Sequence, residues 1–345
     1  MVRCQQSVSE RPPLENRGER IAHFDVAKGI SIALVALFHT TLGFVSANII
    51  SNVPLLNFMT TLAYGFHVHI FFAVSGYFSV KALSRANFLR DRMLALYYPY
   101  LLWSVISLSA SGIAANVTNN HYSWSTLLTL PIWPILHYWF LLSLMASQLL
   151  LYIFRTQRAL IVSAVVALVA SVVLPGWLHD AAYFYPFTVT GALFALRGSL
   201  PTLRPWIAVL CFLFLIAGTY LATTIDIGAF DIRIAPFIPF SFAGCYALVC
   251  FSKTVGRNWF GRVFAYLGEH SLAIYLMHVL IAASLRTFLY KIDPSFNPIA
   301  GMAACFIASI GLPLMANEMA RRFRLSRFAG FEPLLSNRQL ALKGV

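Results

Sequence analysis

Apolar residues fall into ten long segments along the chain, separated by short polar stretches. Each segment is close to the ~20 residues that a helix needs to cross the hydrocarbon core of a bilayer. The pattern therefore predicts an all-α, polytopic bundle of about ten membrane-spanning helices. The segments are centred on residues 29–48, 58–80, 94–115, 136–154, 160–177, 181–196, 205–223, 234–251, 268–289 and 298–318.

Composition supports the membrane interpretation and excludes a soluble globule. Hydrophobic residues make up 59% of the chain and charged residues 11%, with a mean hydropathy of +0.74. A soluble domain carries roughly 25% charged residues. The net charge of +13 does not indicate a nucleic-acid partner, because the basic residues punctuate the apolar segments instead of clustering on one polar face.

The distribution of basic residues predicts the orientation of the bundle. If both termini are cytoplasmic, all but three of the 25 Lys and Arg residues fall on the cytoplasmic side. The exceptions are Arg233, Arg286 and Lys291. We therefore expect a cytoplasmic N-terminal tail over residues 1–24, a ten-helix membrane domain over residues 25–320 and a basic cytoplasmic tail over residues 321–345.

Histidines inside the apolar segments are the first candidates for chemistry. His39 follows Lys28 by eleven residues, which places it about 16 Å deeper in the membrane at ~1.5 Å per residue. Ionisable groups at such depth are rare and usually functional. His69 and His278 lie at a similar depth on two other predicted helices, so these three histidines are expected to surround one cavity.

Each histidine also has a purely structural alternative. A histidine in a membrane helix often only donates a hydrogen bond to a neighbouring helix, and such bonds are worth about 0.6 kcal/mol. For His69 the structural role is favoured, because His67, two residues away, points to a different side. His137 lies beside Tyr138 and Trp139 and also fits an interfacial aromatic belt.

Other polar residues follow the same logic. Ser271, Tyr275 and His278 recur on one face of the ninth predicted helix, and this polar stripe is expected to face the bundle interior. Ser75 and Gly76 allow close approach of a ligand or of another helix, and helix contact is the commoner reason for small residues. The cysteines lack metal-type spacing, and no metal site is expected.

Five motifs in order resemble the acyltransferase-3 family of integral membrane O-acyltransferases. The motifs are DVAKGISIALVALFH, FHVHIFFAVSGYFS, FLRDRMLALYYPYLLW, HYWFLLSL and LGEHSLAIYLMH, and the resemblance runs from about Arg20 to Arg322. The opening motif is most similar to the branch of fucose 4-O-acetylases and related bacterial sugar acetyltransferases. The resemblance implies transfer of acetyl from cytoplasmic acetyl-CoA to a hydroxyl of a cell-surface, secreted or lipid-linked glycan, at the bacterial inner (plasma) membrane.

The resemblance carries over to individual residues with two departures. The family has a basic residue followed eleven positions later by histidine, and these correspond to Lys28 and His39. Many relatives have arginine at the position of Lys28, and lysine lacks the bidentate guanidinium fork. In the second motif His67 carries the correspondence. Relatives often show two arginines three residues apart in the next motif, whereas here Arg92 matches the first and Ala95 replaces the second.

Acyl transfer to an alcohol requires a base and an oxyanion stabiliser. A histidine with a pKa near 6.5 suits the first task, so His39 is predicted to be the general base or a transient acyl carrier. Tyr275 or His278 is predicted to donate a hydrogen bond to the oxyanion. His67 and Ser75 are predicted to contact substrate.

The donor requires positive charge for the phosphates of CoA. Lys28, Arg90 and Arg92 are predicted to supply this charge at the cytoplasmic face. Asp25, one helical turn before Lys28, is expected to orient the lysine through an i,i+3 pair.

A second class of function remains open from the sequence. A bundle with mid-membrane histidines also fits a proton-coupled secondary transporter or flippase of a glycan or small solute. No inverted repeat is visible in the sequence, and the transporter reading does not explain the basic residues beside the His39 segment. The acyltransferase reading is therefore preferred.

Overall fold

The structure, a computed structural model, describes residues 15–51, 53–113, 125–198, 200, 202–256 and 258–334. Within these residues every regular element is helical, which confirms the predicted all-α class. The α-helices are α1 (Glu15–Ser46), α2 (Pro54–Tyr64), α3 (His69–Ser79), α4 (Phe88–Arg92), α5 (Tyr98–Ile113), α6 (Thr126–Thr129), α7 (Trp139–Ile153), α8 (Gln157–Ser171), α9 (Gly176–Leu196), α10 (Pro205–Thr224), α11 (Ile238–Val255), α12 (Trp259–Glu269), α13 (Ser271–Ile292) and α14 (Pro298–Arg322).

Eight helical stretches in the described part of the chain are long and apolar enough to cross a membrane. They coincide with eight of the ten predicted spans, and the remaining two predictions coincide with α8, which is only 15 residues long, and with α9. The chain is thus a polytopic helical bundle. The eight stretches are Ala22–Ser46, Pro54–Ala82, Phe88–Ser111, Leu136–Ile153, Pro205–Thr224, Ala235–Val255, Ser271–Ile292 and Pro298–Arg322.

Several spans are interrupted where the sequence predicts functional residues. The second span breaks between α2 and α3, and His67 lies in the break. The fourth begins with a 3₁₀ turn, Leu136–Tyr138, in which Leu136 has a φ of 52° and His137 is the central residue. Irregular backbone within a membrane is tolerated where it is buried in protein or lines a cavity. We therefore expect the irregular backbone at both breaks to lie inside the bundle.

Glycines bring two pairs of helices into backbone contact. A Cβ on Gly29 of α1 would overlap the Phe264 carbonyl of α12, and one on Gly268 would overlap the Asp25 carbonyl. The same relationship joins α3 and α9, where Gly76 abuts the carbonyl of Thr188. Close helix packing is thus the role of Gly76 in the fold.

Both predicted tails contain ordered structure: part of the N-terminal tail is helical, and part of the C-terminal tail is a loop that packs on the bundle. Helix α1 begins at Glu15, and residues 323–334 fold back over α5. There, Trp103 Nε1–H donates to the Ala329 carbonyl at 2.8 Å, and Phe331 stacks on the Trp103 ring at 5.8 Å. The outermost portions of the predicted tails, residues 1–14 and 335–345, lie outside the described residues.

The bundle has two distinguishable ends. The start of α13 lies at the end where Lys28 is found, because Gly268 abuts Asp25. The connection between α10 and α11 lies at the opposite end, since Gly228 sits beside Asn57 near the start of α2. We call these the Lys28 end and the Arg233 end, after the basic residue found at each.

Candidate active site

A cavity of about 270 Å³ lies inside the bundle. Its wall extends from Ser271 and Leu272 at the Lys28 end to Phe230 and Arg233 at the Arg233 end. Most of the lining is apolar, so the few polar groups are conspicuous. The polar and ionisable lining residues are His39, Tyr64, His67, His137, Arg233, Ser271 and Tyr275.

Three histidines from three different spans meet beside this cavity. The ring centroids of His39 and His278 are 5.2 Å apart, those of His137 and His278 are 4.8 Å apart, and those of His39 and His137 are 6.0 Å apart. His39 lines the cavity and makes no hydrogen bond to any described group, so both of its ring nitrogens are available to a ligand or to its histidine neighbours.

Hydrogen bonds fix the tautomers of the other two histidines. His278 Nδ1–H donates to the carbonyls of Tyr275 at 2.8 Å and Ile274 at 3.1 Å, and His137 Nε2–H donates to the same Tyr275 carbonyl at 2.9 Å. A carbonyl oxygen only accepts, so each bonded nitrogen carries the proton. His278 Nε2 and His137 Nδ1 are buried lone-pair acceptors without a partner in the described chain. Two acceptors therefore flank His39.

Tyr275 holds this arrangement together but has no free donor. Its hydroxyl donates to the His137 carbonyl at 2.6 Å. With the His278 proton also committed, neither predicted oxyanion donor has a hydrogen free in this geometry. The hydroxyl of Tyr64 is different: it is buried without a partner among the described residues, and its ring lies 6.4 Å from that of His39.

The two histidines of the second span point in different directions. His67 lines the cavity, and its Nδ1–H donates to the Ala63 carbonyl at 2.5 Å. His69 is fully buried against aromatic rings of α9, at centroid distances down to 4.6 Å. The expectation that His69 shares one cavity with His39 and His278 is wrong, because a two-residue offset directs its ring toward α9. The third histidine beside His39 and His278 is His137.

Ser75 lies apart from the cavity. Its hydroxyl accepts a hydrogen bond from Gln148 Nε2 at 2.7 Å, which joins α3 to α7. Small polar residues of this kind stabilise helix contacts in membranes. The structure therefore places Ser75 in helix packing.

The basic residues predicted for CoA reach the Lys28 end from separate elements. Lys28 Nζ pairs with Asp25 at 2.6 Å, in the i,i+3 geometry expected from the sequence, and both side chains are mostly buried. Arg90 is exposed and lies 3.6 Å from Asp91. None of these three basic residues is among the described residues that line the cavity.

One histidine near the Lys28 end lies outside the membrane-spanning stretches. His270 precedes α13, and its Nδ1 accepts a hydrogen bond from Asn317 Nδ2 at 3.0 Å. Burial, followed by the charge of Arg321, lowers the pKa of His270 below its ordinary value. The neutral imidazole is therefore the form that fits this contact.

Four polar cavity residues have no catalytic or binding role predicted from the sequence: Tyr64, His137, Arg233 and Ser271. Tyr64 precedes His67 by three residues, and this closeness to a predicted site residue is its signal in the sequence; the two rings meet edge-to-face with centroids 5.0 Å apart. In the sequence, Arg233 stands out only as a basic residue away from the predicted cytoplasmic side. In the described part of the chain, no group of three or more His, Cys, Asp or Glu side chains has an arrangement that could hold a metal ion.

Comparison with known proteins agrees with the motif-based resemblance. The sequence model of one family, described as "Acyltransferase domain", matches residues 21–318. The chain is also similar to nodulation protein NolL of Sinorhizobium fredii (strain NBRC 101917 / NGR234), with 32% identity over 200 residues. That alignment covers 53% of this chain and 53% of the relative, so the chain spans about half of the length of this relative. No solved structure matches.

The family match extends across nearly the whole helical bundle and includes every described residue of the histidine cluster and cavity. The resemblance drawn from the five sequence motifs is thereby confirmed. The chain belongs to the acyltransferase-3 family of integral membrane acyltransferases.

Proposed function

We propose that this chain is a membrane O-acetyltransferase that moves an acetyl group from cytoplasmic acetyl-CoA to a hydroxyl of a glycan. The observation that carries the proposal is His39, a histidine without a hydrogen-bond partner among the described residues, which lines a cavity whose wall runs from Ser271 and Leu272 to Phe230 and Arg233. A donor entering from one end and an acceptor from the other would meet at its imidazole. Family membership supplies the reaction class.

His39 acts as general base in the proposed reaction. It takes the proton from the acceptor hydroxyl while the hydroxyl oxygen attacks the thioester carbonyl carbon. The tetrahedral intermediate then collapses, the carbon–sulfur bond breaks, and the CoA sulfur takes the proton from His39. The products are an acetyl ester and CoA with a free thiol, so no further reactant is needed.

The neighbouring histidines orient this base. A ring nitrogen of His39 that carries a proton finds an acceptor in His278 Nε2 or His137 Nδ1, both of which lack a partner in the described chain. Holding the N–H in this way presents the other nitrogen, with its lone pair, to the acceptor hydroxyl, as the orienting carboxylate does in a catalytic triad. Tyr275 positions both neighbours through its carbonyl and hydroxyl.

Tyr64 is our candidate for the oxyanion donor. Its hydroxyl is buried in the cavity wall with no competing partner among the described residues, so its proton is free to meet the developing negative charge. A preorganised donor in a site with little water is worth far more than the same group in solution. His67, next along this wall, would contact the substrates.

The donor would bind at the Lys28 end. Lys28, oriented by Asp25, would share the CoA phosphates with Arg90 and Arg92, each as a charge-assisted contact. Because basic residues favour the cytoplasmic side, we place this end in the cytoplasm. The similarity to a bacterial nodulation protein favours a bacterial inner membrane. The resemblance of the opening motif to fucose 4-O-acetylases favours a cell-surface, secreted or lipid-linked sugar such as fucose as the acceptor.

The test is transfer of radiolabelled acetyl from acetyl-CoA to extracted cell-surface glycans, using membrane vesicles with and without this protein. We expect label in a base-labile ester only with vesicles that contain the protein, and only when acetyl-CoA has access to the cytoplasmic face. Glycan movement across the vesicle membrane without ester formation would instead favour the transporter alternative and contradict the proposal.

A further inference from the structure

Arg233 is the one charged side chain that lines the cavity within the described residues. It lies at the end opposite Lys28, where the proposed function places the acceptor. A charged group inside a membrane protein is expensive and usually has a specific task. The task is not donor binding, because the CoA phosphates belong to the other end.

The guanidinium of Arg233 is held from three directions. Its Nη1 pairs with Asp180 Oδ1 at 2.5 Å, and its Nε–H donates to the Phe230 carbonyl at 3.2 Å. The guanidinium carbon lies 5.2 Å from the ring centroid of Trp139. Both the pairing carboxylate and the aromatic face orient the planar fork. The position of the guanidinium is therefore fixed before any ligand arrives.

The backbone of Arg233 is held as well. His179 Nε2 lies 2.9 Å from the Arg233 carbonyl, a contact that ties the connection between α10 and α11 to α9. His179 Nδ1 also lies 2.8 Å from the carbonyl of Ser171. Anchoring at both backbone and side chain reduces the ordering that a ligand has to impose.

One donor group of Arg233 remains unused. Nε and Nη1 have partners, whereas Nη2 has none among the described residues, and the side chain faces the cavity. Phe230 and Tyr64, in edge-to-face contact at 5.4 Å, add an apolar wall beside it. A donor pair next to an aromatic wall suits a sugar, which presents oxygen atoms around its rim and C–H groups on its faces.

The charge of Asp180 affects which sugars can bind beside Arg233. Its carboxylate cancels the charge of Arg233, so the pair as a whole is neutral while Nη2 keeps its hydrogen-bonding capacity. A carboxylate-bearing sugar would find no net positive charge here and would lose hydration on entering. An uncharged sugar would accept hydrogen bonds from Nη2 through its hydroxyl or ring oxygens.

We propose that Arg233, held by Asp180, forms the acceptor subsite and selects uncharged sugars, directing one of their hydroxyl groups toward His39. This inference rests on the proposed acetyltransferase function. Arg233 is in this view a binding residue and Asp180 a specificity-determining residue that acts through it.

The test uses the purified full chain in lipid nanodiscs and two acceptor probes. Extracted cell-surface glycans are separated by anion exchange into a neutral and an acidic fraction, and acetyl transfer to each is measured with Arg233→Gln, Arg233→Lys and Asp180→Asn. Lys291→Ala serves as the control, since it removes an exposed positive charge that the sequence places on the same side but that lies outside the cavity.

We expect Arg233→Gln to raise the apparent KM for the neutral fraction about tenfold or more, with kcat and the KM for acetyl-CoA within about threefold of wild type. Arg233→Lys should recover part of the loss. Asp180→Asn, which leaves an uncompensated guanidinium, should shift preference about tenfold toward the acidic fraction. Lys291→Ala should change neither the KM for the neutral fraction nor the preference between the two fractions.

An unchanged acceptor KM in Arg233→Gln, with active wild type, overturns the inference and leaves the proposed function standing. A lower kcat, a similar rise in the KM for both substrates and a lowered melting temperature would show that Arg233 and Asp180 have a structural role. That result would also overturn the inference. Absence of transfer by wild type to either fraction overturns the proposed function and the inference with it.

Discussion

The imidazole of His278 meets that of His39 edge-on, with ring centroids 5.2 Å apart across the contact of α13 with α1. Because the Nδ1 proton of His278 is bound to backbone carbonyls, its unpartnered Nε2 can only accept. In the proposed mechanism His278 is therefore an orienting partner of the base and not a proton donor.

Replacing His278 by Asn should therefore impair turnover more than binding. We expect kcat to fall about 100-fold, since acid–base catalysis by a positioned histidine contributes on that order, while the KM for acetyl-CoA stays near wild type. Initial rates at saturating acceptor measure the effect. A raised KM with unchanged kcat would show that His278 contacts the donor instead of His39.

Tyr64→Phe isolates the proposed oxyanion donor. The substitution removes only a hydroxyl that has no partner in the described structure, so folding stability should hardly change. We expect kcat to fall about 10²- to 10³-fold, the range seen when one oxyanion donor is removed. Tyr290→Phe, at an exposed position of α13, is the control. Wild-type kcat in Tyr64→Phe would remove this residue from the mechanism.

Lys28 is expected to act on the nucleotide portion of the donor. Lys28→Ala should raise the KM for acetyl-CoA about tenfold, the effect of losing one charge-assisted contact. With acetylpantetheine, which lacks the nucleotide phosphates, wild type and variant should have the same KM. If the variant is impaired equally with both donors, Lys28 supports the fold near His39 and does not bind phosphate.

The His270–Asn317 contact predicts a pH-dependent stability. Burial lowers the folded-state pKa of His270 below its ordinary value of 6.5, so the folded chain binds fewer protons here than the unfolded chain. The stabilisation is complete above about pH 6.5 and is lost as the pH falls toward the lowered pKa. The melting temperature in detergent should drop less between about pH 7.5 and 5.5 in His270→Gln than in wild type. Parallel curves would contradict this.

The architecture was largely predictable because membrane burial leaves a direct mark on sequence. Spans of ~20 apolar residues and the confinement of Lys and Arg to alternate loops both follow from the physics of insertion. The short α8 shows the limit, since hydropathy predicts a span where the helix has only 15 residues. The packed segment at residues 323–334 left no hydropathy signal at all.

The site was only half predictable for a geometric reason. Depth along a helix can be counted from the sequence, and it brought His39 and His278 together correctly. Direction around a helix is harder, because a break such as the one at His67, or the 3₁₀ turn at His137, resets the helical phase. Arg233 comes from a connection between spans, where periodicity says nothing about direction.

The most direct test of the account is His39→Gln, compared with His69→Gln as the matched control. Both are histidines in neighbouring spans, but His39 lines the cavity whereas His69 is buried against α9. At equal amounts of folded protein, we predict that His39→Gln loses at least about 10²-fold of acetyl transfer to glycan while His69→Gln stays within about threefold of wild type. Transfer by His39→Gln at the wild-type rate would contradict the assignment of His39 as the base.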